Sequence, residues 1–308
     1  MFLDRMPVLA FSGGRGAGTI PLLRRLLPLL AGQGVKAALV VGGGDLPREL
    51  AALCRVNDLV LVAGGEDLPL TRALLLGPGE ESLPPVPPVV LAVPFQSERQ
   101  TILLAFIAHW LASRWRQTPV YACLLIGGQS RRMGRPKHLI RQGGRTWLER
   151  TVELLRTVAA EVVVAGRGES PLAGLHRLED VTEVAGPLAG LAAAMRWRPW
   201  VSWLLVACDL PDLDLPALAW LLAARQPGVW AVIPRLGDDL LQPLLAYYDF
   251  RLQPQVEEQA RRGEARIGRL AAAEKAAVLT PPERLWPAWR NVNYAHELAA
   301  EEGGEGID

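Results

Sequence analysis

The feature that most constrains this chain is a repeated grammar: a short apolar run, a turn rich in glycine or aspartate, then a helical pattern. Val8–Phe11 leads into SGGRGAG (12–18) and an amphipathic stretch over 21–33. Lys36–Val41 (KAALVV) ends in Gly42-Gly43-Gly44, a helix is expected over 47–54, and Asp58–Ala63 (DLVLVA) follows. A proline-rich stretch at 84–94 (PPVPPVVLAVP) carries one more strand, and a helix over about 100–115 closes the series. Strands covered on both faces read as continuous apolar runs because neither face meets water, and helices joining them imply a parallel sheet.

The grammar restarts after Arg116-Gln117-Thr118-Pro119. Val120–Ile126 (VYACLLI) is followed by the turn GGQSRRMGRPKH (127–138) and a helix near 146–158. Further strands are expected at Glu161–Ala165, at Trp203–Ala207 just before Cys208-Asp209, at Trp230–Pro234, and within 240–248 (LLQPLLAYY). At 308 residues the chain exceeds the ~250 that one core usually serves. Two three-layer α/β/α domains are therefore expected. The first, over 1–116, is P-loop-like. The second, over 119–300, is Rossmann-like with a mainly parallel sheet, and an acidic, glycine-rich tail occupies 301–308. Trp197, Trp200 and Trp203 stand three apart, a spacing that predicts one helix face against core or partner.

Charge narrows the function classes. Lysine and arginine total 33 against 32 acidic residues, a net charge of +1, so no bulk field draws the chain to nucleic acid or a membrane, and neither is expected as a partner. Arg24 and Arg25 break one apolar stretch, and His109 and Arg114 another, too early for a bilayer span. Three distant cysteines (Cys54, Cys123, Cys208) without a CxxC spacing suit a reducing compartment. The opening MFLDRMPVLAFSGG lacks a basic-then-apolar leader, and a cytoplasmic location is expected.

Inside the basic count lies a sharper clue, because only Lys36, Lys137 and Lys275 are lysines. One of these three falls in LIGGQSRRMGRPK (125–137). Gly127 and Gly128 at a strand end let a backbone approach a nucleotide where a side chain would block it. From Gln129 to Arg150 the chain carries seven basic residues (Arg131, Arg132, Arg135, Lys137, Arg141, Arg145, Arg150) and one acid, Glu149. Arginine forks and a lysine point charge together suit a triphosphate. Asp209 directly follows a buried strand, where open α/β sheets present ligand-binding groups, and one carboxylate with phosphate oxygens and water is a usual Mg²⁺ environment. The four histidines show no metal-ligand spacing.

These residues resemble the nucleotidyltransferases with a Gly-Gly-x-Ser-x-Arg-Met-Gly-x-x-Lys signature, and most nearly the molybdenum cofactor guanylyltransferases. Gly186-Pro187-Leu188-Ala189-Gly190 is similar to that family's GPLAG turn beside the guanine. Cys208-Asp209-Leu210-Pro211 is similar to its magnesium-holding CDxP turn, and Asn291-Val292-Asn293 with Glu297-Leu298 to its closing segment. The resemblance spans about 119–300. It implies transfer of GMP from GTP to the terminal phosphate of molybdopterin, with Mg²⁺ on Asp209 and with Arg132 and Lys137 against the departing pyrophosphate. It implies nucleotide contacts at Leu125, Ile126, Gly127, Gly128, Lys137, Asp180, Gly186, Pro187, Leu188, Gly190 and Asn293. There are departures: Pro136-Lys137 stands for Asp-Lys, Gly166-Arg167-Gly168 for an asparagine-bearing segment, and Tyr294-Ala295 for Thr-Pro. A Pro-Lys pair also occurs in cytidylyl- and sugar-nucleotide transferases. A cytidylyl- or other nucleotidyltransferase, or a non-catalytic scaffold carrying molybdopterin, therefore stays open beside the guanylyl reading.

The first domain tells a different story. A working P-loop reads G-x-x-x-x-G-K-[ST]. Counting from Gly13 to Gly18, Thr19 stands where the lysine belongs and Ile20 where the hydroxyl belongs. LAFSGGRGAGTIPLLRRLLPLL (9–30) resembles the opening of the molybdopterin-guanine dinucleotide biosynthesis adaptors (MobB-like). Ala63, ending DLVLVA, replaces their magnesium-facing acid. The resemblance implies an adaptor, without competent NTP hydrolysis, that docks the transferase, the cofactor, molybdoenzymes or other cofactor-biosynthesis proteins.

Overall fold

The computed structural model describes residues 6–14, 16–42, 45–80, 89–126, 136–166, 172–237 and 239–292. It divides into two compact units, Met1–Thr118 with Gln226–Gly228, and Pro119–Arg225 with Val229–Asp308. Among the described residues no helix is long and apolar enough to cross a membrane.

The first unit holds strands β1 (Val8–Gly13), β2 (Ala37–Val41), β3 (Leu59–Ala63), β4 (Arg72–Leu75) and β5 (Val89–Val93), with helices α1 (Thr19–Gly32), α2 (Leu46–Cys54) and α3 (Arg99–Gln117). Its sheet runs β2-β3-β1-β4-β5, parallel throughout. Val8, Leu9, Ala10 and Phe11 are all buried, as are all five residues of β3, which is why these strands carry no polar alternation. The sequence reading missed β4. It is four residues long and opens with a fully buried arginine, Arg72, so composition points away from a core strand. Arg72 donates to Ser12 Oγ (3.0 Å), to Gly64 O (3.1 Å) and to Gly65 O (2.7 Å), all at the carboxyl edge of the sheet.

The second unit holds β6 (Val120–Leu125), the short hairpin β7 (Arg141–Gln142) and β8 (Arg145–Thr146), α4 (Trp147–Arg156), β9 (Glu161–Ala165), β10 (His176–Leu178), α5 (Pro187–Trp197), β11 (Ser202–Ala207), α6 (Leu215–Ala223), β12 (Ala231–Pro234), β13 (Leu245–Tyr248), α7 (Gln253–Arg261) and β14 (Ala276–Leu279). Seven strands form one sheet in the order β10-β9-β6-β11-β13-β12-β14. All pairings are parallel except those of β13, which runs against both β11 and β12.

Period-two alternation divides the two faces. Val120, Ala122 and Leu124 of β6, Val162 and Val164 of β9, and Leu204 and Val206 of β11 pack with Leu148, Val152 and Leu155 of α4 and Ala217, Leu218 and Leu221 of α6. The alternate residues meet α5, where Leu125 lies against Gly190, and α5 packs on α7. This is the three-layer arrangement expected.

The tryptophan reading is corrected. α5 ends at Trp197, and Trp203 sits in β11, so the three are not one helix face. Trp197 and Trp203 still meet, with ring centroids 6.4 Å apart, because the chain folds back on itself between helix and strand. At the amino end of β11, Ser202, Tyr247, Asp249 and Arg251 form a buried polar network. Arg251 Nη1 lies 2.7 Å from Asp249 Oδ1, and Ser202 Oγ and Tyr247 Oη donate to Asp249 Oδ2. Burial and the nearby Asp249 carboxylate push the Tyr247 hydroxyl's pKa well up, so the network stays neutral at tyrosine.

Candidate functional site

Open α/β sheets bind ligands outside the carboxyl ends of the strands, where the strand order reverses. In the second unit that point lies between β6 and β11. From β6 the chain first builds β9 and β10 on one side, then crosses to place β11 on the other. β6 and β11 are parallel neighbours, paired from Ser202↔Val120 to Ala207↔Leu125, so both end at the same edge. Cys208 N–H donates to Leu125 O (3.2 Å), continuing the ladder one residue beyond, and Ile126 N–H donates to Ala165 O (2.8 Å).

Two side chains that sequence reasoning selected, 72 residues apart, meet at this edge. Lys137 Nζ lies 2.8 Å from Asp209 Oδ2, and the two side chains are only 15% and 16% exposed. Lys137 opens a short 3-10 turn, Lys137–Leu139, after Pro136. The hairpin β7–β8, turning through Gly143 and Gly144 with φ of +59° and +80°, then carries the chain into α4. Thr146 caps α4: its Oγ1 accepts from Glu149 N–H (3.1 Å), and its own N–H donates to Glu149 Oε2 (2.6 Å). The Thr146 N–H, and after it the Thr146 hydroxyl, which donates to Glu149 Oε2 (3.0 Å), hold the Glu149 carboxyl below its ordinary pKa.

Residues outside the expected set of nucleotide and metal contacts hold the pair's backbones in place. Ile140, Trp147 and Val292 form a small buried cluster. Ile140 N–H donates to Lys137 O (3.0 Å), Trp147 N–H to Ile140 O (2.9 Å), and Val292 N–H to Asp209 O (3.1 Å). The Asn291-Val292 segment is thereby tied to the Asp209 turn. Arg290 Nε adds a second tie, 2.5 Å from Asp212 Oδ2. The Asn291-Val292-Asn293 motif marked this segment in the sequence, whereas nothing there marked Ile140 or Trp147.

Asp209 Oδ1 is buried without a hydrogen-bond partner among the described residues. A buried carboxylate oxygen facing no donor fits a cation ligand. Among the described residues no three His, Cys, Asp or Glu side chains converge, so a cation here would rest on Asp209 with phosphate oxygens and water.

The GPLAG turn is the start of α5. Gly186 is its N-cap with φ +77° and ψ −159°, a conformation open to glycine alone, and Pro187 occupies the first helical position. Leu188 and Gly190 are buried in the helix, so their side-chain positions serve packing. A Cβ on Gly190 would fall 2.5 Å from Leu125 Cδ2. Asp180 Oδ1 lies 4.0 Å from the same point, and its charge adds to burial in raising the Cys123 thiol pKa. Ile126 is buried at the exit of β6. Gly127, Gly128, Arg132 and Asn293 lie outside the described residues, as does the 301–308 tail.

A mainly parallel sheet with a lysine and an aspartate meeting at its reversal point defines a nucleotide-handling α/β domain. A family model described as the MobA-like NTP transferase domain matches residues 122–278, half of the chain. The chain belongs to this family and is a nucleotidyltransferase. It is 34% identical to the "Probable molybdenum cofactor guanylyltransferase" of Opitutus terrae, over 56% of this chain and 88% of that one. It is 32% identical to the "Molybdenum cofactor guanylyltransferase" of Sinorhizobium fredii, over 51% and 76% respectively. The crystal structure of molybdopterin-guanine dinucleotide biosynthesis protein A from Archaeoglobus fulgidus is similar at 25% identity with a TM-score of 0.49, covering 59% of this chain and 97% of that one.

Proposed function

We propose that the second unit transfers GMP from GTP to the terminal phosphate of molybdopterin and releases pyrophosphate. The observation that carries this reading is the Lys137–Asp209 pair at the β6/β11 reversal point of a MobA-like domain. An oxygen of the acceptor phosphate attacks the α-phosphorus of GTP, the bond to the α–β bridging oxygen breaks, and pyrophosphate carries the charge away. Such transfers depend on positioning and charge neutralisation more than on acid–base chemistry. Lys137 leaves Asp209 to neutralise the departing pyrophosphate, with Arg132 beside it. Asp209 would hold Mg²⁺, which supplies further charge neutralisation at the phosphate oxygens. The uncapped start of α5, with Gly186 and Pro187, offers backbone groups to the guanine edge.

The first unit serves as an adaptor in this reading. Its own reversal point, beside β1, is crossed by Arg72, which bonds Ser12, Gly64 and Gly65, and Thr19, Ile20 and Ala63 replace the residues that hydrolysis requires.

Pyrophosphate release measured with each of the four nucleoside triphosphates, with and without molybdopterin, tests the reading. GTP-specific, acceptor-dependent release is expected. CTP preference would replace guanylyl by cytidylyl transfer, and no release with any of them would leave a molybdopterin-carrying scaffold. Lys137→Ala should lower turnover by about 10²–10³ with the fold retained; full activity would refute the assignment.

A further inference from the structure

We infer that Lys137 holds the place of the metal ion: in the nucleotide-free protein its ammonium occupies Asp209, so a divalent cation enters with the triphosphate and not alone. The inference rests on the reading of Asp209 as the carboxylate that receives the cation.

Three observations carry it. First, the ammonium sits 2.8 Å from Asp209 Oδ2 in a setting more than four-fifths buried, while Oδ1 is buried and has no donor among the described residues. One carboxylate oxygen is thus engaged and the other is held in reserve. Second, no acidic cluster among the described residues compensates a cation there. A lone divalent ion would face one carboxylate with a positive charge already against it, and like charges so close in a poorly solvated site disfavour one another. Third, both backbones are fixed. Lys137 O is held by Ile140 N–H and Asp209 O by Val292 N–H, and Ile140, Val292 and Trp147 share one buried cluster. The four-carbon stem of Lys137 is a flexible carrier of a point charge.

A triphosphate changes every part of this balance. Its oxygens offer the ammonium a new partner, which frees Oδ2, and they complete the oxygen shell that a cation needs. Cation and nucleotide then each raise the other's affinity by the same factor, as linkage requires. The form taken up is the cation–nucleotide chelate.

The test is a Mn²⁺ titration of the full-length protein without nucleotide, followed by the paramagnetic resonance signal of the free hexaaquo ion. Wild type is expected to bind Mn²⁺ weakly. Lys137→Met should bind at least about tenfold more tightly, since removing the like charge relieves the repulsion. Adding Asp209→Asn should abolish that gain, and Lys137→Arg, which keeps the charge, should stay at the wild-type level. Equal affinity in wild type and Lys137→Met, or a gain that survives Asp209→Asn, would overturn the inference. If circular dichroism shows Lys137→Met unfolded, Lys137→Gln takes its place under the same criteria. The titration contains no nucleotide, so its outcome is separate from that of the pyrophosphate assay. Wild-type GTP turnover with unchanged metal affinities would leave guanylyl transfer standing and remove only the placeholder role.

Discussion

Gly166, the residue after β9, should be the least replaceable glycine near the site. Its φ is +113°, a region that L side chains rarely enter, and a Cβ there would lie 1.8 Å from Ile126 O and 3.0 Å from Ile126 C. The obstacle is backbone, and that backbone is pinned, because Ile126 N–H is bonded to Ala165 O at 2.8 Å. Replacement by alanine therefore combines strained dihedrals, about 1–3 kcal/mol, with overpacking against an immobile neighbour, about 1–3 kcal/mol. A total of about 4 kcal/mol corresponds to a fall of about 8–16 °C in melting temperature for a unit of this size. Gly143→Ala is the control. It has φ +59° but nothing within 4 Å of the added carbon, so only the dihedral strain of about 1–2 kcal/mol applies. Differential scanning calorimetry of the whole chain reads both shifts. If Gly166→Ala melts within about 2 °C of Gly143→Ala, the clash argument is wrong.

Two more stability predictions follow from the same unit. Asp249→Asn leaves the Arg251 guanidinium buried without its counter-charge and should cost about 3–5 kcal/mol, read as a lower urea midpoint at unchanged slope; a loss under about 1 kcal/mol would show that the pair is solvated. The Glu149 carboxyl is held below its ordinary value of 4.5 by the Thr146 backbone N–H and then the Thr146 side chain. Its contribution is therefore whole above the unfolded value and drains away as pH falls through the lowered one. Glu149→Gln should flatten the acid limb of the melting-temperature profile below about pH 4.5, and an unchanged limb would remove Glu149 as its source.

How far the sequence reached can be judged from particular elements. β1, β3, β6, β9 and β11 were legible because a strand covered on both faces shows as an apolar run, and the following glycine or aspartate marks its end. Lys137 and Asp209 were legible as chemistry, since a rare lysine on a glycine turn and an acid after a buried strand have few structural uses together. β4 was hidden by Arg72, whose burial depends on carbonyls from the loop after β3 and a hydroxyl from β1. β10, β14 and α6 went unmarked, their short or mixed patterns giving no period long enough to read. The Trp197–Trp203 spacing misled because a three-residue interval fits a helix face locally, whereas a helix end, a turn and a strand produced it here.

The sequence by itself determined the two rounds of strand, turn and helix, and it determined which side chains are fit to hold phosphate and cation. The tertiary structure alone decided strand order, the reversal of β13, and the meeting of two residues 72 positions apart at 2.8 Å. The physical reason is that burial and backbone geometry are imprinted residue by residue along the chain. A reversal point exists only once β9 and β11 have taken opposite sides of β6, and the Lys137–Asp209 pair exists only at that point.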